Sequence, residues 1–136
     1  MGDPIIRGDI VVLTPDKAVV QAVAEGMAGK PYRIVGAATV DEGLQGVRSA
    51  SAELLLVDTA FKDPLDLLAK FSRANPALGF MLVIGNEDAP VAVEAARLGV
   101  YDFIIRPVEV VKEAVRIQVA LQKHSRALED RAYTVA

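Results

Sequence analysis

Two side chains in this 136-residue chain stand where their chemistry could be used. Asp58 directly follows the apolar run Leu54-Leu55-Leu56-Val57, so its carboxylate emerges at the end of a segment that reads as buried. The ordinary fate of such an Asp is a loop or helix cap. Thr59-Ala60-Phe61-Lys62 separates it from the next helix, however, and Asp63 already fits the cap there. Asp58 is therefore read as a site residue. Arg106 follows Phe103-Ile104-Ile105 and precedes Pro107. A guanidinium at a strand end can pair with a neighbouring carboxylate, or with an oxyanion attached to it. The plainer reading is a surface Arg before a helix-opening proline. The Arg106-Pro107 bond is a candidate for the cis form.

Composition removes most other chemistries. There is no cysteine, which excludes a disulfide scaffold, a zinc–thiolate or iron–sulfur site and a cysteine nucleophile. His124 is the single histidine, so a His-rich metal site is impossible. Fifteen Lys+Arg against 18 Asp+Glu give a net charge of −3 and a pI near 5.1, unlike a nucleic-acid-binding module. Trp is absent and aromatics make up only 5%, which argues against a base- or sugar-stacking platform. No apolar run approaches a membrane span, and Met1-Gly2-Asp3-Pro4-Ile5-Ile6 resembles neither a signal peptide nor a myristoylation site. The expectation is one acidic, soluble, cytoplasmic domain that contacts neither nucleic acid nor membrane.

The elements that position Asp58 and Arg106 follow from hydrophobic patterning. Ile10–Leu13, Leu54–Val57 and Phe80–Ile84 are apolar without alternation, as in central strands of a parallel sheet covered on both faces. Arg33–Ala37 and Phe103–Ile105 are weaker and suit edge strands. Asp16 fits a cap before Val19, Val20 and Val23, with a helix end near Gly29. Thr39 with Glu42 forms a capping-box pattern before Leu44 and Val47. Asp63-Pro64 opens a helix carrying Leu65, Leu67, Leu68 and Phe71, and Pro90 opens one that stops at Gly99. A last helix starts near Val108 and runs beyond Ala127. Strands alternating with helices predict an α/β fold, a doubly wound open parallel sheet. Its chemistry belongs at the strand carboxyl ends, namely at Thr14–Lys17, Asp58–Asp63, Gly85–Asp88 and Arg106-Pro107.

At this point a resemblance enters. Ala95-Ala96-Arg97-Leu98-Gly99-Val100-Tyr101-Asp102-Phe103-Ile104-Ile105-Arg106-Pro107 resembles the helix-to-strand signature of response-regulator receiver domains. Leu54-Leu55-Leu56-Val57-Asp58 resembles their third strand, which ends in the phosphoacceptor aspartate. The match runs from about Asp9 to Ala120. It implies a five-stranded (βα)5 receiver or flavodoxin-like sheet of order 2-1-3-4-5. It further implies a signalling domain rather than an enzyme, bacterial two-component phosphorelay function, Mg²⁺ at the acceptor and a histidine kinase or phosphotransfer partner. Asp58 takes the acceptor position, Arg106 that of the phosphate-binding Lys, Gly85 that of the switch Thr or Ser, and Phe103 that of the aromatic switch.

Several positions depart from the pattern. The acidic pair that shares Mg²⁺ with the acceptor is replaced by Thr14 and Pro15, leaving Asp16 as a weak substitute ligand beside Asp58. Gly85 brings no hydroxyl. Mg²⁺ needs carboxylate ligands, so its binding is expected to be weakened. Without a switch hydroxyl, a phosphorylated state has fewer contacts of its own, and a ligand without differential contacts shifts no equilibrium.

Two stripes compete on the last helix. Val108, Val111, Val115 and Val119 are expected to face the sheet. Val110, Ala114, Ile117, Leu121, His124 and Leu128 have heptad-like spacing and suit either a frayed amphipathic end or pairing with a second copy. His124 is expected to be exposed or at such an interface. Residues 1–120 then form the receiver-like domain, and 121–136 a helical extension or linker to an output domain.

Two readings of function remain open. One is a phosphoacceptor receiver with an atypical pocket, and the other is a pseudo-receiver used as a phosphorylation-independent dimerisation or docking module. A flavodoxin-like cofactor domain is disfavoured, because Thr14-Pro15-Asp16-Lys17-Ala18 has no glycine to surround a phosphate with backbone N–H groups.

Overall fold

The structure, a computed structural model, describes residues 5–134 and the side chains of residues 5–131. The expectations placed on residues 1–4 and 135–136 lie outside the described residues. The elements are β1 (Gly8–Leu13), α1 (Lys17–Gly26), β2 (Tyr32–Ala37), α2 (Val40–Val47), β3 (Ala52–Asp58), α3 (Pro64–Ala74), β4 (Gly79–Ile84), α4 (Ala89–Arg97), β5 (Phe103–Ile105) and α5 (Val110–Thr134). One 3-10 turn, Asn86–Asp88, joins β4 to α4.

The sheet is parallel throughout, in the order β2-β1-β3-β4-β5. The three continuous apolar runs occupy the centre, and the two weaker ones the edges. Alternate residues of each central strand feed opposite layers. Ile10, Val12, Leu54 and Leu56 pack under α1 and α5. Val11, Leu13, Leu55 and Val57 pack under α2, α3 and α4. Covering both faces is what permits uninterrupted apolar strands. In-register parallel pairing then brings the carboxyl ends of β1, β3 and β4 together, with Leu13 opposite Val57 and Asp58 opposite Val83.

Helix starts largely follow the local signals. Asp16 accepts from the Ala18 N–H, and Thr39 accepts from the Glu42 N–H. The Glu42 carboxylate reaches back one residue further than a capping box requires, to the Ala38 N–H. Asp63 departs from expectation. It occupies the cap position of α3 but makes no side-chain cap bond, because its backbone is left-handed (φ 53°) and Pro64 at the helix start supplies no N–H. Arg106-Pro107 is cis.

The rotation of α5 is opposite to the one predicted. Val111, Val115 and Val119 are 79%, 57% and 41% exposed, whereas Ala114, Ile117, Ala120, Leu121 and His124 are buried. Val108, which precedes the helix, does pack on the core. Two forces set this rotation. Small residues let α5 approach α1 closely, where a Cβ added at Gly26 would lie 2.7 Å from the Val110 carbonyl oxygen and 3.1 Å from the Ala114 Cβ. In addition, Arg116 donates to the Phe103 carbonyl at 2.8 Å and lies 3.5 Å from Asp102, tying α5 to β5. The helix crosses Ala120 and Leu121 without a break, and His124 is only 5% exposed rather than on an open face.

Candidate functional site

The strand carboxyl ends converge on one carboxylate. Asp58, the last residue of β3, has 0% of its surface exposed. Burying a carboxylate is costly unless its oxygens are hydrogen-bonded and its charge is paired. Here both oxygens are engaged. Oδ1 accepts from the Ala60 N–H at 2.8 Å and from the Arg106 guanidinium, with which Asp58 forms an ion pair. Oδ2 accepts from the Thr14 hydroxyl at 2.6 Å.

Each donor is delivered by a different strand end. Thr14 follows β1 and is itself buried (2% exposed). Its backbone N–H donates to the Ala37 carbonyl at the end of β2, and its Oγ1 accepts from the Asp16 N–H. That second bond orients the hydroxyl hydrogen towards Asp58. Arg106 follows β5, donates its own backbone N–H to the Ile84 carbonyl, and keeps 32% of its side chain exposed. A cleft of about 460 Å³ lies beside it, between α1 and Arg106-Pro107-Val108.

The other expected site residues are placed differently. Asp16 is exposed, and its carboxylate caps α1 by accepting from the Ala18 N–H. Pro15 is exposed and has no side-chain ligand. Gly85 is buried, and its N–H donates to Asp88 Oδ2 at 2.7 Å. The same oxygen accepts from the Thr59 hydroxyl at 2.7 Å, so Asp88 bridges the residue after Asp58 to the end of β4. Thr59 and Asp88 fall within the strand-end segments expected to carry chemistry, but neither was assigned a role, and their pairing was not expected. The local spacing from Gly85 to Asp88 signals only a cap, and Thr59 lies 29 residues away. Phe103 packs partly buried in the layer of α2, α3 and α4.

These residues do not fit a magnesium ion. Mg²⁺ is held through hard oxygen donors, chiefly carboxylates. The second carboxylate of the expected pair is committed to a helix cap, and a guanidinium sits on Asp58 itself. Among the described residues, no cluster of three or more His, Asp or Glu side chains is arranged to hold a metal. No helix among them is long and apolar enough to cross a membrane.

Comparison with known proteins adds context to this geometry. No family model matches the chain. It is 26% identical over 126 residues to the phosphoglycerate transport system transcriptional regulatory protein PgtA of Salmonella typhimurium, a match covering 91% of this chain and 30% of that protein. It is also 26% identical over 125 residues to the C4-dicarboxylate transport transcriptional regulatory protein DctD of Rhizobium meliloti, covering 90% of this chain and 27% of that one. The chain thus spans less than a third of the length of these relatives. A solved response regulator receiver domain protein from Clostridium thermocellum superimposes with a TM-score of 0.75 at 17% identity, covering 88% of this chain and 98% of that one.

Proposed function

We infer that this chain, a receiver domain of the two-component response-regulator type, acts as a metal-independent regulatory module whose aspartate is held by the chain's own side chains. One observation carries this reading: both oxygens of Asp58 accept hydrogen bonds from the protein itself, from Thr14, Ala60 and Arg106.

Transfer of a phosphoryl group to a carboxylate brings two anions together, and a cation between them lowers that cost. Arg106 supplies one positive charge, already engaged with Asp58 Oδ1. An incoming phosphoryl group would meet an oxygen shared by Arg106 and Ala60, or one that accepts from Thr14, on a side chain with no exposed surface. At the end of β4 it would find no side-chain hydroxyl at Gly85, and an N–H already donated to Asp88. A modified Asp58 would gain few contacts that the unmodified one lacks, and so shift the domain little. The domain therefore occupies one state and acts by docking, in the cytoplasm, as part of a longer transcriptional regulator like the relatives it matches. We propose no enzymatic activity for it.

A second reading, slow phosphorylation of Asp58 by a histidine kinase or phosphotransfer partner, is favoured by the partial exposure of Arg106, which leaves the guanidinium room to swing aside. Intact mass after incubation with Mg²⁺ and a small phosphodonor separates the two readings, with Asp58→Asn as control. The pseudo-receiver reading expects no phosphoryl adduct. An adduct that forms readily in the wild type and disappears in the control overturns it.

A further inference from the structure

At the opposite end of the sheet from Asp58, the single histidine is seated in a built socket. His124 Nε2 lies 2.7 Å from the Ala77 carbonyl oxygen, in the loop between α3 and β4. A carbonyl only accepts, so Nε2 carries the proton. In the neutral ring Nδ1 is then an acceptor, and the Tyr101 hydroxyl donates to it at 2.9 Å. The two rings meet edge-on, with centroids 5.6 Å apart.

The socket is shaped for these rings. A Cβ added at Gly79, the first residue of β4, would lie 2.8 Å from Tyr101 Cε2 and 2.9 Å from His124 Nδ1. Glycine at this position leaves the space the two rings fill. Tyr101 is itself fixed to β4 by its backbone N–H, which donates to the Phe80 carbonyl. Three segments therefore meet on one imidazole: the loop before β4, the residue ahead of β5, and the second half of α5.

We propose that this clasp is a proton-operated fastener, and that protonation of His124 releases the second half of α5 from the base of the sheet. A proton on Nδ1 turns the Tyr101 bond around, so that the phenol oxygen must accept and its own hydrogen must find another partner, and it places a charge in a site that is 95% covered. The surroundings do not neutralise that charge completely. Glu53 on β3 favours the cation, while Arg131 on α5 opposes it and also reaches the Pro76 carbonyl in the same loop. Around the adjoining groove of about 630 Å³ stand Arg7, Lys30 and Arg126, with Glu129 and the Tyr32 hydroxyl. Burial holds the imidazole below its ordinary value of 6.5, and the Ala77 bond and Glu53 only partly oppose this.

The clasped state binds a proton less readily than the open one, so opening takes up a proton as pH falls below about 6.5. With one group involved, the opening equilibrium rises by up to about tenfold per pH unit in that window.

Two readings on the full chain test the proposal. The lone imidazole gives one unambiguous NMR titration, and hydrogen exchange reports protection of the amides of residues 121–131. The wild-type ring is expected to titrate below 6.5. After correction for intrinsic rates, wild-type protection of 121–131 is expected to fall on acidification while that of β1 and β3 holds. His124→Phe is expected to remove the pH dependence. An imidazole titrating at or above 6.5 overturns the proposal. So does an acid-induced loss of protection that persists in His124→Phe, or one shared equally by β1 and β3.

Discussion

The Thr14 hydroxyl donates to Asp58 Oδ2 at 2.6 Å, across 44 residues of chain and between two neighbouring strand ends. Aligned by sequence, Thr14 reads as a lost carboxylate. In the fold it is a donor to a carboxylate that has no contact with water. A second Asp at this point would need a cation between the two acids, whereas a hydroxyl needs none.

Removing this donor leaves a buried acceptor short of a partner. Thr14→Ala is expected to destabilise the domain by about 1–3 kcal/mol, the cost of an unsatisfied buried polar group. Thr14→Ser should recover most of that loss. Urea denaturation at neutral pH measures both.

Arg106 tests the charge half of the same site. Arg106→Met leaves Asp58 without its cation and is expected to cost about 3 kcal/mol, at the lower end for a broken buried pair because the guanidinium is partly exposed. Arg106→Lys retains the charge and should cost less than half as much. Equal losses in the two variants would mean that packing, not charge, matters at this corner.

The two stripes of α5 should respond oppositely to substitution. Ile117→Ala opens a cavity at a fully buried position and is expected to cost about 2–5 kcal/mol. Val111→Thr and Val115→Thr, both on the exposed stripe, should stay within about 0.5 kcal/mol of wild type. Chemical denaturation of the three variants checks the rotation of the helix directly.

His124 makes stability depend on pH. The folded state holds the ring neutral, below its ordinary 6.5, whereas the unfolded chain takes up the proton at the ordinary value. This contribution is complete above about 6.5 and is lost as pH falls from there through the folded value. Thermal unfolding of wild type and His124→Phe between about pH 8 and about pH 5 should show a decline in the wild type that is smaller in the variant.

The sheet was legible because continuous apolar runs such as Leu54–Val57 have few other uses, and because strand–helix alternation restricts the topology. Asp58 and Arg106 were legible for the same reason, since both stand at strand ends and the crossover rule brings those ends together. The rotation of α5 was not. Its valine stripe and its Ala-Ile-Leu-His stripe are similarly apolar, and the choice is made by close approach at Gly26 and by the reach of Arg116 to Phe103. Neither contact is local in sequence. Three long-range pairings were hidden likewise, Thr14 with Asp58, Asp88 with Thr59, and His124 with Tyr101 and Ala77: each spans 23 or more residues, and nothing in local spacing marks it.

Asp58 is hydrogen-bonded and charge-paired by the protein alone. A ligand that binds only the folded state raises the unfolding temperature in proportion to the logarithm of its concentration. Thermal unfolding in chelator and across a Mg²⁺ series into the millimolar range, at constant ionic strength, therefore tests the claim most directly. The predicted result is an unfolding temperature independent of Mg²⁺ in both the wild type and Asp58→Asn. A wild-type temperature that climbs with Mg²⁺, with the climb abolished in Asp58→Asn, would contradict it and return the site to metal-assisted phosphoryl chemistry.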